Sequence, residues 1–172
     1  MEKKAIVLDK IKKEIKFKQT PIVQAISTYN FALLEVVYEE NVRIQDVIST
    51  ENKMVKKINY KNLTNNSKNE IEKAIENIVI NNPDRFVYFF NNAKPIGLRR
   101  HQLDLLPKVG KKHRIAIIEH IRTNGPFKSF EDIKKIEMLP DPIMIITKRI
   151  IDEIIDKEDI KYYLFTTPKN KL

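Results

Sequence analysis

Two hydrophobic periodicities divide the chain. From Ala5 to about Tyr60, short apolar runs rich in Ile and Val alternate with polar turns, which is strand-like spacing. Residues 5–8 and 21–26 predict strands, 27–30 a turn and 31–37 the next strand, and the shorter segments 42–48 and 56–60 bring the total to five. Asn and Ser must supply the turns, because the chain holds only three Gly, none of them in this half. Residues 10–18 carry five lysines interleaved with Ile11, Ile15 and Phe17, a pattern that fits a basic edge strand or a loop. After about Leu63 the apolar spacing becomes helical, which puts the boundary at 61–66.

The helical half has explicit punctuation. Ser67 and Glu70 form a capping-box pattern ahead of Ile71, Ala74, Ile75, Ile78 and Val79, which share one face. Pro83 ends that helix and starts the next. Phe86, Tyr88, Phe89 and Phe90 are expected in the core, since no basic residues alternate with them as in a base-stacking platform. Asp141 and Pro142 open a last helix whose buried stripe is Ile143, Ile146, Ile150, Ile151, Ile154 and Ile155. Residues 161–165 read as a closing strand and 166–172 as a frayed tail. The expected class is α+β, with a small β domain over 1–62, a helical domain over 63–158, and a closing strand and tail over 159–172.

Charge narrows the function. The chain carries 32 Lys plus Arg against 23 Asp plus Glu, a formal +9, which points to polyanionic partners. The total alone is weak evidence, because 25 Lys, 27 Ile and 15 Asn among 172 residues indicate a general compositional bias. Placement is more telling: residues 94–114 hold Lys94, Arg99, Arg100, Lys108, Lys111, Lys112 and Arg114 against Asp104 alone, a net +6. Three of the seven arginines fall there, and a lysine-driven bias does not explain arginine. The absence of Cys excludes disulfide scaffolds, thiolate nucleophiles and Cys-ligated metal centres, and fits a cytoplasmic setting. No apolar run approaches the roughly 20 residues of a membrane helix.

The basic window has a recognisable organisation. Two apolar helical patterns, Leu103 with Leu106 on a first helix and Ile115 with Ile118 and Ile121 on a second, flank the turn at 107–110 and are expected to face inward. A helix starting near Gly110 would point unpaired N–H groups and its positive dipole end outward beside Lys111 and Lys112, a phosphate-sized anion site. The stretch Leu106-Pro107-Lys108-Val109-Gly110-Lys111 resembles the helix-hairpin-helix turn, commonly Leu-Pro-Gly-Ile-Gly-Lys. Lys108 replaces its first Gly; where that position needs φ > 0, the replacement costs on the order of 1 kcal/mol. Ser129 and Asp132 predict another helix start. A second turn over 136–141 follows, with no Gly and with Glu137 and Asp141, which suit no phosphate.

Over nearly the whole chain, the segments 21–26, 33–37, 89–93, 101–107, 130–133 and 162–165 resemble the archaeal DUF655 family, described as RNA-binding by inference. The resemblance implies an OB-like β-barrel followed by an all-α helix-hairpin-helix (SAM-like) domain, and it implies no reaction.

No catalytic or metal motif is present. His101 and His113 sit beside cationic residues and read as neutral hydrogen-bonding or packing groups, and His120 follows Glu119 near a helix end. Asp152 and Asp156, at i,i+4, read as a solvated face rather than a magnesium site. The expectation is a non-enzymatic, cofactor-free, metal-free monomer that binds the phosphate backbone of RNA or DNA, within a ribonucleoprotein or alone, and no membrane. Its expected site comprises Pro107, Lys108, Val109, Gly110, Lys111, Lys112, Arg114, Arg99 and Arg100. The rival expectations are an adaptor that binds proteins of the translation or RNA-processing machinery, an accessory protein of DNA repair or recombination, and a nucleic-acid-processing enzyme with dispersed carboxylates.

Overall fold

The computed structural model describes residues 3–156 and 160–168. Five strands, β1 (Lys4–Ile15), β2 (Lys18–Ser27), β3 (Leu33–Val37), β4 (Val47–Ser49) and β5 (Val55–Ile58), form one antiparallel sheet in the order β4-β1-β2-β3-β5. It curls into a half-barrel whose edges are β4 and β5. A bulge between Val7 and Asp9 shifts the β1/β2 register and bends the sheet there. The 42–48 segment contributes less strand than its apolar content suggests, since only its end pairs. Residues 10–15 are the far end of β1, paired with β2 on one side and beyond the reach of β4, which meets β1 only at Lys4–Ile6. The basic run is therefore an edge strand, one of the two forms its pattern fits, and it turns into β2 at 16–17.

Both faces of the sheet are apolar. Ala5, Val7, Val23, Ala25, Leu34, Val36 and Ile48 cluster on one. Ile6, Leu8, Ile26 and Leu33 belong to a second cluster that runs on through the helices α1 (Asn65–Ile80), α2 (Pro83–Asn92), α3 (Lys111–Asn124), α4 (Phe130–Lys134) and α5 (Pro142–Ile155). The β half and the helical half therefore share one core. The expected α1 residues are the buried ones, and full burial of each isoleucine contributes about 1.5–3 kcal/mol.

A polar network joins the halves at the start of α1. Gln24, buried in β2, accepts from the Thr64 amide (2.9 Å) and the Ser67 hydroxyl (2.9 Å) and donates to Glu35 (3.1 Å) and the Asn62 carbonyl (3.0 Å). Thr64 donates to Asp9 (2.6 Å) and accepts from the Ser67 amide (3.0 Å). The α1 cap is thus Thr64, three residues before the expected Ser67, whose hydroxyl is already engaged by Gln24. Burial pushes the Glu35 carboxyl up, and hydrogen bonds from Lys13 and Gln24 with the Lys13 charge outweigh it, leaving it below its ordinary value.

Other local signals hold as read. Pro83 and Pro142 occupy first-turn positions, and Ser129 and Asp141 cap α4 and α5. Phe86 and Phe90 are buried and Phe89 packs against them, but Tyr88 is 67% exposed because it lies on the outer side of α2. On α5, Ile146, Ile150 and Ile154 are buried as expected, while Ile143, Ile151 and Ile155 are only partly so. Ile145, Thr147, Arg149 and Glu153 are buried in addition, so α5 is enclosed over more than one face.

Residues 161–165 form no strand. Glu153 accepts from the amides of Leu164 (2.7 Å), Phe165 (3.1 Å) and Thr166 (2.9 Å), which satisfies the segment without a sheet partner. The ring of Phe165 sits 5.6 Å from Phe86 and 5.0 Å from Phe89. Part of the expected tail, residues 169–172, lies outside the described residues.

Candidate nucleic-acid interface

The basic window folds into three adjoining pieces. Residues 94–101 make a loop closed by an antiparallel bridge between Pro95 and His101 and by a hydrogen bond from the Ile96 amide to the Arg100 carbonyl (2.9 Å). Gln102–Leu105 is a 3₁₀ turn rather than the expected helix, since Pro107 disfavours helical backbone at Leu106. The turn at 106–110 then leads into α3. Leu103, Leu106 and Val109 are buried, which fixes the turn on the core.

Lys108 has φ +61°, so the position that departs from glycine is left-handed, with a strain of about 1–2 kcal/mol. Met138 in the turn between α4 and α5 has the same φ of +61°. Both turns close the same way, with the Val109 amide bonded to Leu106 O and the Leu139 amide to Ile136 O, each at 3.2 Å. The two turns touch through His113: Nδ1 accepts from the Gly110 amide (3.2 Å) and Nε2 meets the Met138 carbonyl (3.0 Å). That pairing needs a neutral ring with the proton on Nε2, matching the expected role. Asp152 and Asp156 are engaged within the fold; Asp156 accepts from the Tyr163 hydroxyl, and this bond, followed by burial, pushes that phenol up to about 12. No group of three or more His, Asp or Glu among the described residues is placed to hold a metal. No described helix is long and apolar enough to cross a membrane.

Gly110 precedes α3 with φ −105° and ψ −177°, and a Cβ there would meet no atom within 4 Å. Neither conformation nor packing requires glycine at this position. Without a side chain at residue 110, the first-turn amides of Lys111, Lys112 and His113 have no acceptor among the described residues. Arg114 is drawn inward to Asp104 (2.5 Å). The remaining six cations of the window, Lys94, Arg99, Arg100, Lys108, Lys111 and Lys112, are exposed and form no ion pair among the described residues.

Ile115 and Ile118 do not face inward; they are 53% and 44% exposed, and Ile117 is the buried residue of α3, with Ile121 partly buried. Two features escape sequence reasoning. Leu98 is fully exposed at the tip of the 94–101 loop, and Arg99, Arg100 and Tyr162 line a shallow recess beside it. A cleft of about 860 Å³ also opens at the end of the sheet among Lys3, Lys4, Tyr29, Lys53 and Lys57; its residues come from separated strands and turns, so no local run signals it.

His101 underpins the site. It is buried, and its Nδ1 accepts from the Leu103 amide (3.2 Å) while its own amide donates to Asp104 (2.9 Å). Burial pushes the imidazole below its usual 6.5; Asp104 opposes this and Arg114 adds to it. A depressed histidine stabilises the fold above the unfolded-state value, and that stability is lost as the pH falls below about 6.5, until the folded-state value is passed. Urea midpoints of the wild type are therefore expected to drop more steeply between pH 7 and 5 than those of His101→Asn, which keeps an acceptor and cannot titrate; parallel curves would contradict the assignment.

Comparison with known proteins places this arrangement. The uncharacterised protein MJ0038 of Methanocaldococcus jannaschii is 38% identical over 157 residues, covering 84% of this chain and 70% of its own length. The crystal structure of Af1531 from Archaeoglobus fulgidus, of the DUF655 family, is similar with a TM-score of 0.82 at 35% identity, covering 96% of this chain and all of that one. With residues 1–167 matching the model of a protein family of unknown function, the chain belongs to the DUF655 family.

Proposed function

We propose that the protein is a non-catalytic nucleic-acid-binding protein, with RNA as its main ligand, that docks a backbone phosphate on the turn leading into α3. In this reading the curled sheet is an OB-like domain, and the turns at 106–110 and 136–141 belong to tandem helix-hairpin-helix (SAM-like) units. The observation that carries it is a helix start whose first-turn amides have no acceptor among the described residues, flanked in the chain by exposed Lys108, Lys111 and Lys112 and preceded by a loop with exposed Lys94, Arg99 and Arg100, none of the six in an ion pair among the described residues. Lys111 and Lys112 flank the phosphate, Lys108 adds a cation where the usual turn has glycine, and Arg99 and Arg100 extend the surface. Arg114 serves the site by holding the first turn of α3 to Asp104. Such contacts position a backbone and carry little base specificity.

Gly110→Ala separates ligand from fold. A methyl at residue 110 meets nothing in the protein, so the melting temperature is expected to stay put. It would stand where a phosphate approaches, and affinity for labelled RNA at low salt is expected to fall by up to about 1.5–3 kcal/mol, the worth of a hydrogen bond to a charged group. Unchanged affinity in a folded variant would remove the turn from the site. Competition between matched RNA and DNA, single-stranded and duplex, ranks the ligands.

Exposed Ile115 and Ile118, one and two turns below the lysines, favour an adaptor as the second reading. It predicts a saturable protein complex that survives nuclease.

A further inference from the structure

The β1/β2 hairpin extends beyond the body of the protein. From Lys10 to Pro21 no residue is buried, and the ladder runs from Lys10↔Val23 to Ile15↔Lys18, a reach of about 17 Å at roughly 3.4 Å per residue. The chain reverses at Lys16 and Phe17, with φ +50° and +63°. Positive φ at both central residues is the conformation that tight hairpins ordinarily give to Asn-Gly or Asp-Gly. A bulky residue there is strained, a state that clusters at functional positions.

Neither packing nor turn geometry accounts for phenylalanine at residue 17. Its ring is 98% exposed. Lys16 and Lys18 flank it at the tip, and Lys12 and Lys10 follow down the arm; none of the four forms an ion pair among the described residues, Lys13 reaches Glu35 at 2.7 Å, and Glu14 is the arm's only acid. An aromatic face among free cations is the arrangement that holds unpaired bases, the ring stacking and the lysines tracking the backbone. A membrane surface would ask for a broad apolar face; beside Phe17 this arm offers only the half-buried Ile11 and Ile15.

We infer that the hairpin arm is a second nucleic-acid contact, in which Phe17 stacks on an unpaired base while Lys16 and Lys18 hold the adjoining phosphates. The inference rests on the nucleic-acid reading above and deepens it by naming the ligand class, RNA with unpaired bases, such as a single strand or a loop. A continuous duplex offers no open base face to the ring.

The test uses the full chain with Phe17→Ala and Phe17→Trp, a fluorescein-labelled single-stranded RNA of mixed sequence, and its duplex. Phe17→Ala is expected to weaken single-strand binding by roughly 5- to 100-fold. Duplex affinity should change little, and the salt slope should stay the same because no charge is removed. Phe17→Trp should retain affinity, and as the chain has no tryptophan of its own, the emission of the introduced indole should be quenched when the strand saturates the protein. Wild-type affinity in Phe17→Ala, together with unquenched emission in Phe17→Trp, would overturn the inference, and if Lys111→Glu with Lys112→Glu still weakens binding, the phosphate turn survives it. Absence of any RNA or DNA binding by the wild type would overturn both. Binding to phosphatidylserine vesicles lost in Phe17→Ala, with RNA affinity intact, would overturn it in favour of a membrane contact.

Discussion

Glu153→Ala is expected to remove about 3–5 kcal/mol of stability, the usual consequence of leaving a buried charge without its partner. Few substitutions in a domain of roughly 5–15 kcal/mol total stability do as much. The Glu153 side chain is fully buried, and besides the three amides of residues 164–166 it accepts from Arg149 Nε (2.9 Å) and the Thr166 hydroxyl (3.1 Å). Truncation strands the Arg149 guanidinium, which is itself buried, with only carbonyl acceptors, those of Leu105 (3.0 Å) and Tyr162. It also deprives three amides of their acceptor and frees Phe165 from Phe86 and Phe89. Urea denaturation gives the change directly. Adding Arg149→Met should recover part of the loss, since a buried pair exchanged for apolar side chains is often neutral, but not all, because the amides stay unsatisfied. A loss below about 1 kcal/mol would mean that the C-terminal segment is not held by this carboxylate. Because Arg149 also grips Leu105 O, the variant should loosen the turn at 106–110 as well.

That carboxylate marks what the sequence leaves hidden. Residues 161–165 have strand composition, and only the fold reveals that their amide acceptor lies 11 to 13 residues upstream on α5. Helix starts at Pro83, Ser129 and Asp141 are legible because capping is a matter of neighbouring residues. The α1 start is displaced to Thr64 by a hydrogen bond from Ser67 to Gln24, 43 positions away. On α3, Ile115, Ile117, Ile118 and Ile121 satisfy two helical phases equally. Burial of Ile117 goes with the turn in which His113 reaches Met138, an interaction across 25 residues. The hairpin arm is ambiguous for a related reason: alternating Lys and Ile describes a loop as well as a strand until Ile22 is known to lie opposite Ile11. The basic window is legible as composition, and the fold removes one of its cations by pairing Arg114 with Asp104.

Reversing Lys111 and Lys112 to glutamate should separate binding from stability most sharply. Both side chains are exposed and without ion pairs among the described residues, so the fold gives up no ion pair. Acidic side chains in the first turn of a helix are favoured by its dipole, by about 0.3–1 kcal/mol each, so the double variant is expected to melt slightly higher than the wild type. For the ligand the sign is opposite. Two attractions become two repulsions beside one phosphate, together about 2–4 kcal/mol, or roughly 30- to 1,000-fold in affinity at low salt. The dependence of log affinity on log salt should also become shallower by about 1.4 for a single strand, at about 0.7 for each phosphate no longer neutralised. Removing as many lysines from the hairpin arm should weaken binding less, because the six exposed cations of the 94–114 window and the first-turn amides of α3 all remain. A double variant that binds RNA and DNA with unchanged affinity and unchanged salt slope would show that no phosphate rests on this turn.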